Sequence, residues 1–165
     1  MIDRPRRSDA SGAFPRPAVY SGRMAHPDDS HPVAALAAIA SFHAHVYFGD
    51  AAQREAAMAL RERIGERFSV ALGRVHDRQI GPHARPMYQV AFDTATFGKF
   101  VPWLMINRQG LTVLVHPNTR DPRRDHLVHA LWMGEVLHIV NPDGLPDDDD
   151  AELPLQPNTT PTIEA

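Results

Sequence analysis

The stretch Phe42-His43-Ala44-His45-Val46-Tyr47-Phe48 alternates strictly between two sets of side chains. Phe42, Ala44, Val46 and Phe48 fall on one side, His43, His45 and Tyr47 on the other, and this period of two marks a half-buried strand. Outward from it, Asp50 with Gln53 beyond it forms a near capping box for a helix over 51–67, whose Ala57, Leu60 and Ile64 share one face. A second strand is expected over 68–72, running on towards His76, then a loop over 79–85 and a third strand over 87–92. Phe97, Phe100, Val101, Leu104 and Met105 recur at helical spacing and predict a helix over 96–107, kinked at Pro102 or with its second half starting there, and ended by Gly110. A fourth strand is expected over 111–116, a short helix over 125–135, and a fifth strand over 136–140.

This order is β-α-β-β-α-β with an appendix, the split βαβ or ferredoxin-like motif. The expected fold is therefore α+β: an antiparallel sheet with helices on one face, the other face open, and a C-terminal helix/strand appendix. Strands one and three are expected to be adjacent and parallel, with strand four antiparallel on the other side of strand one. An uncovered apolar face predicts a homodimer, with Val90 and Leu114 as contact residues.

Composition divides the chain in three. The whole carries 17 Lys and Arg against 20 Asp and Glu, a net charge of −3. Residues 1–40 hold five Arg, four Asp and five Pro, whereas residues 141–165 hold seven acids, five Pro and no base. Such ends lack periodic apolar residues, so 1–38 is expected to be a flexible extension and 142–165 a flexible acidic tail around a domain over 39–141. The middle is only mildly basic, too weakly for a nucleic-acid footprint. No apolar stretch is long enough to span a membrane and no secretory leader is visible, so a soluble, cytoplasmic chain is expected. With no Cys at all, thiolate catalysis, disulfides and thiolate-held metals are excluded.

Eight of the ten His lie in the middle region. Taken singly, each reads as an ordinary polar residue. Taken with the topology, His43 and His45 at the start of strand one, His116 at the end of strand four and His83 in the loop before strand three converge on one edge of the open face, where His126 can join them. His76, His129 and His138 lack that convergence. Imidazole without thiolate suits Fe, Zn, Cu or Ni. Carboxylates near the cluster are few, Asp125 and Glu135. Tyr47, Tyr88, Trp103, Trp132, Arg74, Arg85 and Arg108 are candidates to wall a pocket for a flat anionic substrate.

Four strings of the sequence carry a resemblance. They are Phe42–Phe48; Gly81-Pro82-His83 with Pro86-Met87-Tyr88; Pro102-Trp103-Leu104 with Asn107-Arg108 and Leu111 to Pro117; and Asp125-His126 with Ala130, Trp132, Gly134 and Glu135. In this order and spacing, over about residues 41–140, they resemble the DOPA 4,5-dioxygenase family. Ala84 stands where that family usually has Pro, and Met133 where Leu is common. The resemblance implies a ferredoxin-like dimer that opens a catechol ring at an extradiol bond with O₂, and its histidines map onto His43, His45, His83, His116 and His126.

O₂ is a triplet and reacts slowly with a singlet catechol, so that chemistry calls for a redox metal with open positions. The expected ligands are His45, His83 and His116, with His43 as a fourth ligand or beside the site, and the expected metal is Fe(II), with Zn or another divalent ion able to replace it in a purified sample. His126, oriented by Asp125, is the expected acid/base, exchanging with His43. Tyr47, Tyr88 and one of Arg74, Arg85 or Arg108 are expected to hold the substrate. Two other readings fit the same residues: a non-catalytic metal- or small-molecule-binding dimer, and a zinc-dependent hydrolase.

Overall fold

The computed structural model describes residues 33–149 and 156–165. The chain divides into Met1–Ala34 and Ala35–Ala165, and the architecture below is that of the second unit. The expected N-terminal extension lies mostly outside the described residues, as do His26 and His31. Its described end carries a single 3-10 turn, Leu36–Ala38.

The elements run β1 (Ser41–Tyr47), α1 (Ala51–Arg67), β2 (Ala71–His76), β3 (Met87–Phe92), α2 (Thr94–Asn107), β4 (Thr112–Asn118), α3 (Pro122–Leu127) and β5 (Leu131–Met133). They form one five-stranded antiparallel sheet in the order β2-β3-β1-β4-β5. Local chemistry explains where the helices begin. Asp50 accepts the backbone N–H of Gln53 at 2.8 Å, while the Gln53 side chain accepts that of Gly49 at 2.8 Å, so the first turn of α1 is closed from both directions. Asp93 caps α2 in the same way through the N–H of Thr96 at 2.8 Å.

Ala57, Leu60 and Ile64 of α1 and Phe100, Val101 and Leu104 of α2 are buried against Ala44, Val46, Val90 and Val113. This α-on-β layer is the main core. Met105 departs from the predicted apolar stripe and is 58% exposed. Pro102 lies inside a continuous α2.

Three expectations are corrected. First, β3 runs antiparallel to β1, not parallel. The α1 crossover returns the chain so that β2 runs with β1, and the reversal after β2 then sends β3 the other way. Second, the appendix is arranged differently. Asp121 caps α3 through the N–H of Arg124, Pro122 occupies its first turn, and the helix stops at Leu127. The fifth strand is then Leu131–Met133 against β4, ended by Gly134 at φ +89°, and not 136–140. Third, the second sheet face is not open. Leu137 packs with Tyr47, Met87 and Leu114 there, flanked by Ala130, Trp132 and Ile139. Val90, expected on that face, sits opposite Ala44 in the helix-side core, whereas Leu114 does face the other way but is covered by the chain itself.

The described C-terminal residues also differ from a free tail. Asn158 grips edge strand β2, accepting from the N–H of Leu72 at 2.8 Å and donating to its carbonyl at 3.0 Å. Thr159 Oγ1 bonds the backbone of Phe68 and Val70, and the N–H groups of Thr162 and Ile163 reach the carbonyl of Glu66.

Candidate metal centre

Antiparallel pairing of β1 with β4 sets His43 directly opposite His116. Side chains alternate along each strand, so His43, His45 and His116 emerge on the same face, away from α1 and α2. His83 arrives by a different route from the expected one. With β3 antiparallel, its preceding loop starts near the far end of β1, and the loop must fold back over the sheet. It does so through a turn at Gly81 (φ +54°), a bridge from His83 to Ile139, and a bond from the Val140 N–H to the Pro82 carbonyl at 2.8 Å. Short helix α3 supplies His126.

Five imidazoles thus meet. Ring centroids are 4.0 Å apart for His116 and His126, 4.1 Å for His45 and His83, and 5.4 Å for His43 and His116. They form two overlapping groups, His43–His45–His116 and His45–His83–His126, within each of which one ring nitrogen per residue lies within 4.8 Å of the others. Of the expected ligands, His45 and His83 share one group with His126, and His45 and His116 share the other with His43.

Hydrogen bonds fix several rings. Nδ1 of His116 lies 2.8 Å from the Pro117 carbonyl and Nδ1 of His126 lies 2.8 Å from that of Pro122. A carbonyl only accepts, so each Nδ1 carries the proton and each Nε2 keeps its lone pair, the arrangement usual for metal-ligating His. Tyr47 Oη is 2.8 Å from His83 Nδ1, and the Gln89 side-chain amide is 3.0 Å from His43 Nε2. Nε2 of His45 and Nε2 of His116 lie 3.0 Å apart. Two nitrogens each about 2.1 Å from a shared ion at a right angle would be separated by about that much. His45 Nδ1 is buried with no hydrogen-bond partner among the described residues. Donor type, count and orientation all fit a divalent metal.

The electrostatics agree. Burial, reinforced by the neighbouring imidazole of His126, lowers His43 to about 4 and His83 likewise to about 4. Burial drives His45 and His116 well below the ordinary range. These rings are neutral near pH 7, so a cation need not displace protons from them. Burial raises Asp125 and Tyr47 instead.

Beside the cluster lies a cleft of about 230 Å³, walled by His43, His116, His126, Asn118, Asp125 and Asp149 among others. That is below the roughly 300–1,000 Å³ common for drug-sized ligands and suits a single ring. Other predicted residues fall elsewhere. Asp125 is buried, but its carboxylate accepts from the Thr119 N–H at 2.7 Å and hydroxyl at 2.9 Å, while the His126 ring is held by Pro122. Tyr47 is at the cluster, stacked on Trp132 at 5.9 Å. Tyr88 lies on the helix side of the sheet in the main core. Arg108 donates to the Leu111 carbonyl at 2.7 Å, Arg85 pairs with Glu135 at 2.8 Å, and Arg74 is exposed on β2 at the sheet edge. Sequence reasoning missed Gln89, Asn118, Thr119 and Asp149. Gln89 had a signal, being the one amide in an otherwise apolar and aromatic strand; Asn118 closes β4 beyond the strand end expected at 116, and Thr119 and Asp149 lie outside the strands and helices.

The profile of the Dopa 4,5-dioxygenase family matches residues 42–141. The chain belongs to the Dopa 4,5-dioxygenase family. All five clustered histidines fall inside that match. Among its relatives, the DOPA 4,5-dioxygenase of Amanita muscaria is 36% identical over 128 residues, covering 72% of this chain and 54% of the relative. An uncharacterized 21.2 kDa protein of Botryotinia fuckeliana is 41% identical over 110 residues, 60% of each chain. The present chain thus spans little more than half the length of these curated relatives. A crystal structure from Nostoc punctiforme, of a protein provisionally named a dioxygenase, is 53% identical with a TM-score of 0.65, covering 67% of this chain and 95% of that one.

Proposed function

We propose that this member of the Dopa 4,5-dioxygenase family is a metal-dependent extradiol dioxygenase that opens the ring of a catechol with O₂. The observation that carries the reading is the convergence of five imidazoles from β1, the folded-back loop, β4 and α3 in two groups with a ring-sized cleft beside them. In this reading His43, His45 and His116 hold the ion, which is Fe(II). When bound, it supplies the one-electron path by which O₂ and a catechol can react.

The remaining groups belong to the protein's own part of the chemistry. His126 keeps a lone pair at Nε2, because Pro122 fixes the proton at Nδ1, and it takes the proton that a catechol hydroxyl must lose. His83 lies behind it, held by Tyr47. Asp125 keeps Thr119 and the cleft wall in place through three contacts.

A homodimer is proposed on different ground from the sequence reading. Strand β5 is at the sheet edge, and Leu127, Val128, Leu131 and Val136 around it are all exposed, Val136 by 72%. Among the described residues no helix is long and apolar enough to cross a membrane, and the cytoplasm is the proposed location.

Anaerobic reconstitution with Fe(II), followed by O₂ uptake with a catechol panel, tests the reading. Uptake with a ring-opened yellow product, lost in His45→Ala and His116→Ala, supports it. Tight metal binding without O₂ uptake on any catechol would move the assignment to a binding module, and anaerobic hydrolysis with Zn(II) would move it to a hydrolase.

A further inference from the structure

We propose that the groove between α2 and the described C-terminal residues is a second ligand site, which takes an aromatic monoanion with Lys99 receiving its carboxylate. It lies on the helix side of the sheet, whereas the imidazoles emerge on the other side, so it stands apart from the metal centre and from the reading given to it.

The groove is built by the way the chain end is fastened. Helix α1 ends at Arg67, and Phe68 follows as its cap. Thr159 Oγ1 bonds the carbonyls of Phe68 and Val70, and the N–H groups of Thr162 and Ile163 reach the carbonyl of Glu66. Pro161 and Ile163 are thereby held as one wall, with Pro102, Trp103 and Ile106 of α2 as the other. The space between has a volume of about 790 Å³, against about 230 Å³ for the cleft beside the imidazoles. It falls within the roughly 300–1,000 Å³ common for small-molecule sites.

The lining chemistry narrows the ligand. Phe68 and Trp103 meet edge to face with centroids 5.4 Å apart. Ile106 and Ile163, one on each wall, remain 84% and 47% exposed. A ring system laid between them removes that apolar surface from water and adds contacts to the aromatic pair that an aliphatic chain does not make. Charge sets the remaining group. The lining holds two cations, Arg67 and Lys99, and one carboxylate, Glu164, so a ligand with a single negative charge neutralises it. Arg67 lies over the Trp103 ring at 5.8 Å and places Nη1 on the Glu66 carboxylate at 2.9 Å and the Arg63 carbonyl at 3.1 Å. Lys99 is exposed on α2 and has no ion-pair or hydrogen-bond partner among the described residues. Its ammonium is therefore the group open to a ligand carboxylate.

The test is isothermal titration of the full-length protein at low salt with 2-naphthoate, its neutral counterpart 2-naphthylmethanol, and octanoate. Saturable binding of 2-naphthoate is expected, about threefold tighter than the alcohol, the scale of one exposed charge pair, and tighter than octanoate. Lys99→Gln should bring the ratio of acid to alcohol close to one, Glu164→Gln should raise it, and Ile106→Ser should weaken both ligands. Lys99 and Ile106 are exposed, so these variants leave the core intact, which unchanged circular dichroism and unchanged divalent-metal binding check. No saturable binding of 2-naphthoate, equal binding of acid and alcohol, or a ratio unmoved by Lys99→Gln would overturn the proposal. Octanoate binding more tightly than 2-naphthoate would overturn the aromatic preference.

Discussion

His45 is the residue on which the site turns, because it alone belongs to both imidazole groups. His45→Ala is expected to lower affinity for a divalent metal by at least about tenfold, read by equilibrium dialysis with metal analysis, whereas His83→Ala should lower it less. A binding curve unchanged in His45→Ala would place the ion elsewhere. A second expectation concerns acid. His43 and His83 are lowered to about 4 from 6.5 in the folded protein. The unfolded chain therefore takes up protons first as pH falls. The stabilisation is complete above pH 6.5 and is lost as pH drops from 6.5 towards 4, by up to about 3 kcal/mol for each ring. Urea unfolding of the metal-stripped protein at pH 7 and at about pH 4.5 would reveal this, and equal midpoints would refute it. At this scale the sequence is informative: alternation alone places His43, His45 and Tyr47 on one face. It cannot reveal that Arg85 and Arg108 are occupied by Glu135 and the Leu111 carbonyl, since those pairings depend on how loops fold together in space.

Among the elements, β1, α1 and β3 lie close to where their periodicity puts them, because each has one buried face and an unambiguous end. The region after β4 departs from its local pattern. Asp125–Glu135 has helical composition, but Pro122 and the Asp121 cap start the helix early, and pairing with β4 claims Leu131–Met133 as a strand. Tertiary pairing overrides propensity there. Edge strand β2 offers a test of the C-terminal residues. Asn158→Ala removes both side-chain bonds to Leu72 and is expected to cost about 1 kcal/mol in denaturant unfolding. Ending the chain at residue 155 should cost more and promote association through the uncovered edge. An unchanged melting temperature in both variants would show that the segment merely lies alongside.

For the molecule as a whole, the layered α+β architecture is legible because the element order admits few topologies, but the direction of β3 is opposite to the one expected from that order. Direction depends on counting chain reversals, and the return between β2 and β3 adds one. The convergence of His83 consequently comes about through a folded-back loop that no local pattern announces. The second face, expected to be covered by another copy, is covered by Leu137 and Ile139 of the same chain. If a second copy does bind, it should do so at β5. Val136→Asp is then expected to convert a dimer into a monomer in light scattering coupled to size-exclusion chromatography, and a wild-type protein already monomeric at micromolar concentration would remove the dimer from the proposal.

The in-register meeting of His43 with His116 has a consequence for the order of events during synthesis. Both imidazole groups draw a member from beyond β3: His116 for one, His126 for the other. A growing chain that has released only β1 to β3 already displays His43, His45 and His83, yet can complete neither group. Closing β4 onto β1 joins residues 71 positions apart, a long loop whose entropy is offset only when the rest of the sheet is in place to receive it. Capture of the ion is thereby tied to the pairing of β4 with β1, and the rate at which metal is taken up during refolding should report that closure and not the earlier collapse.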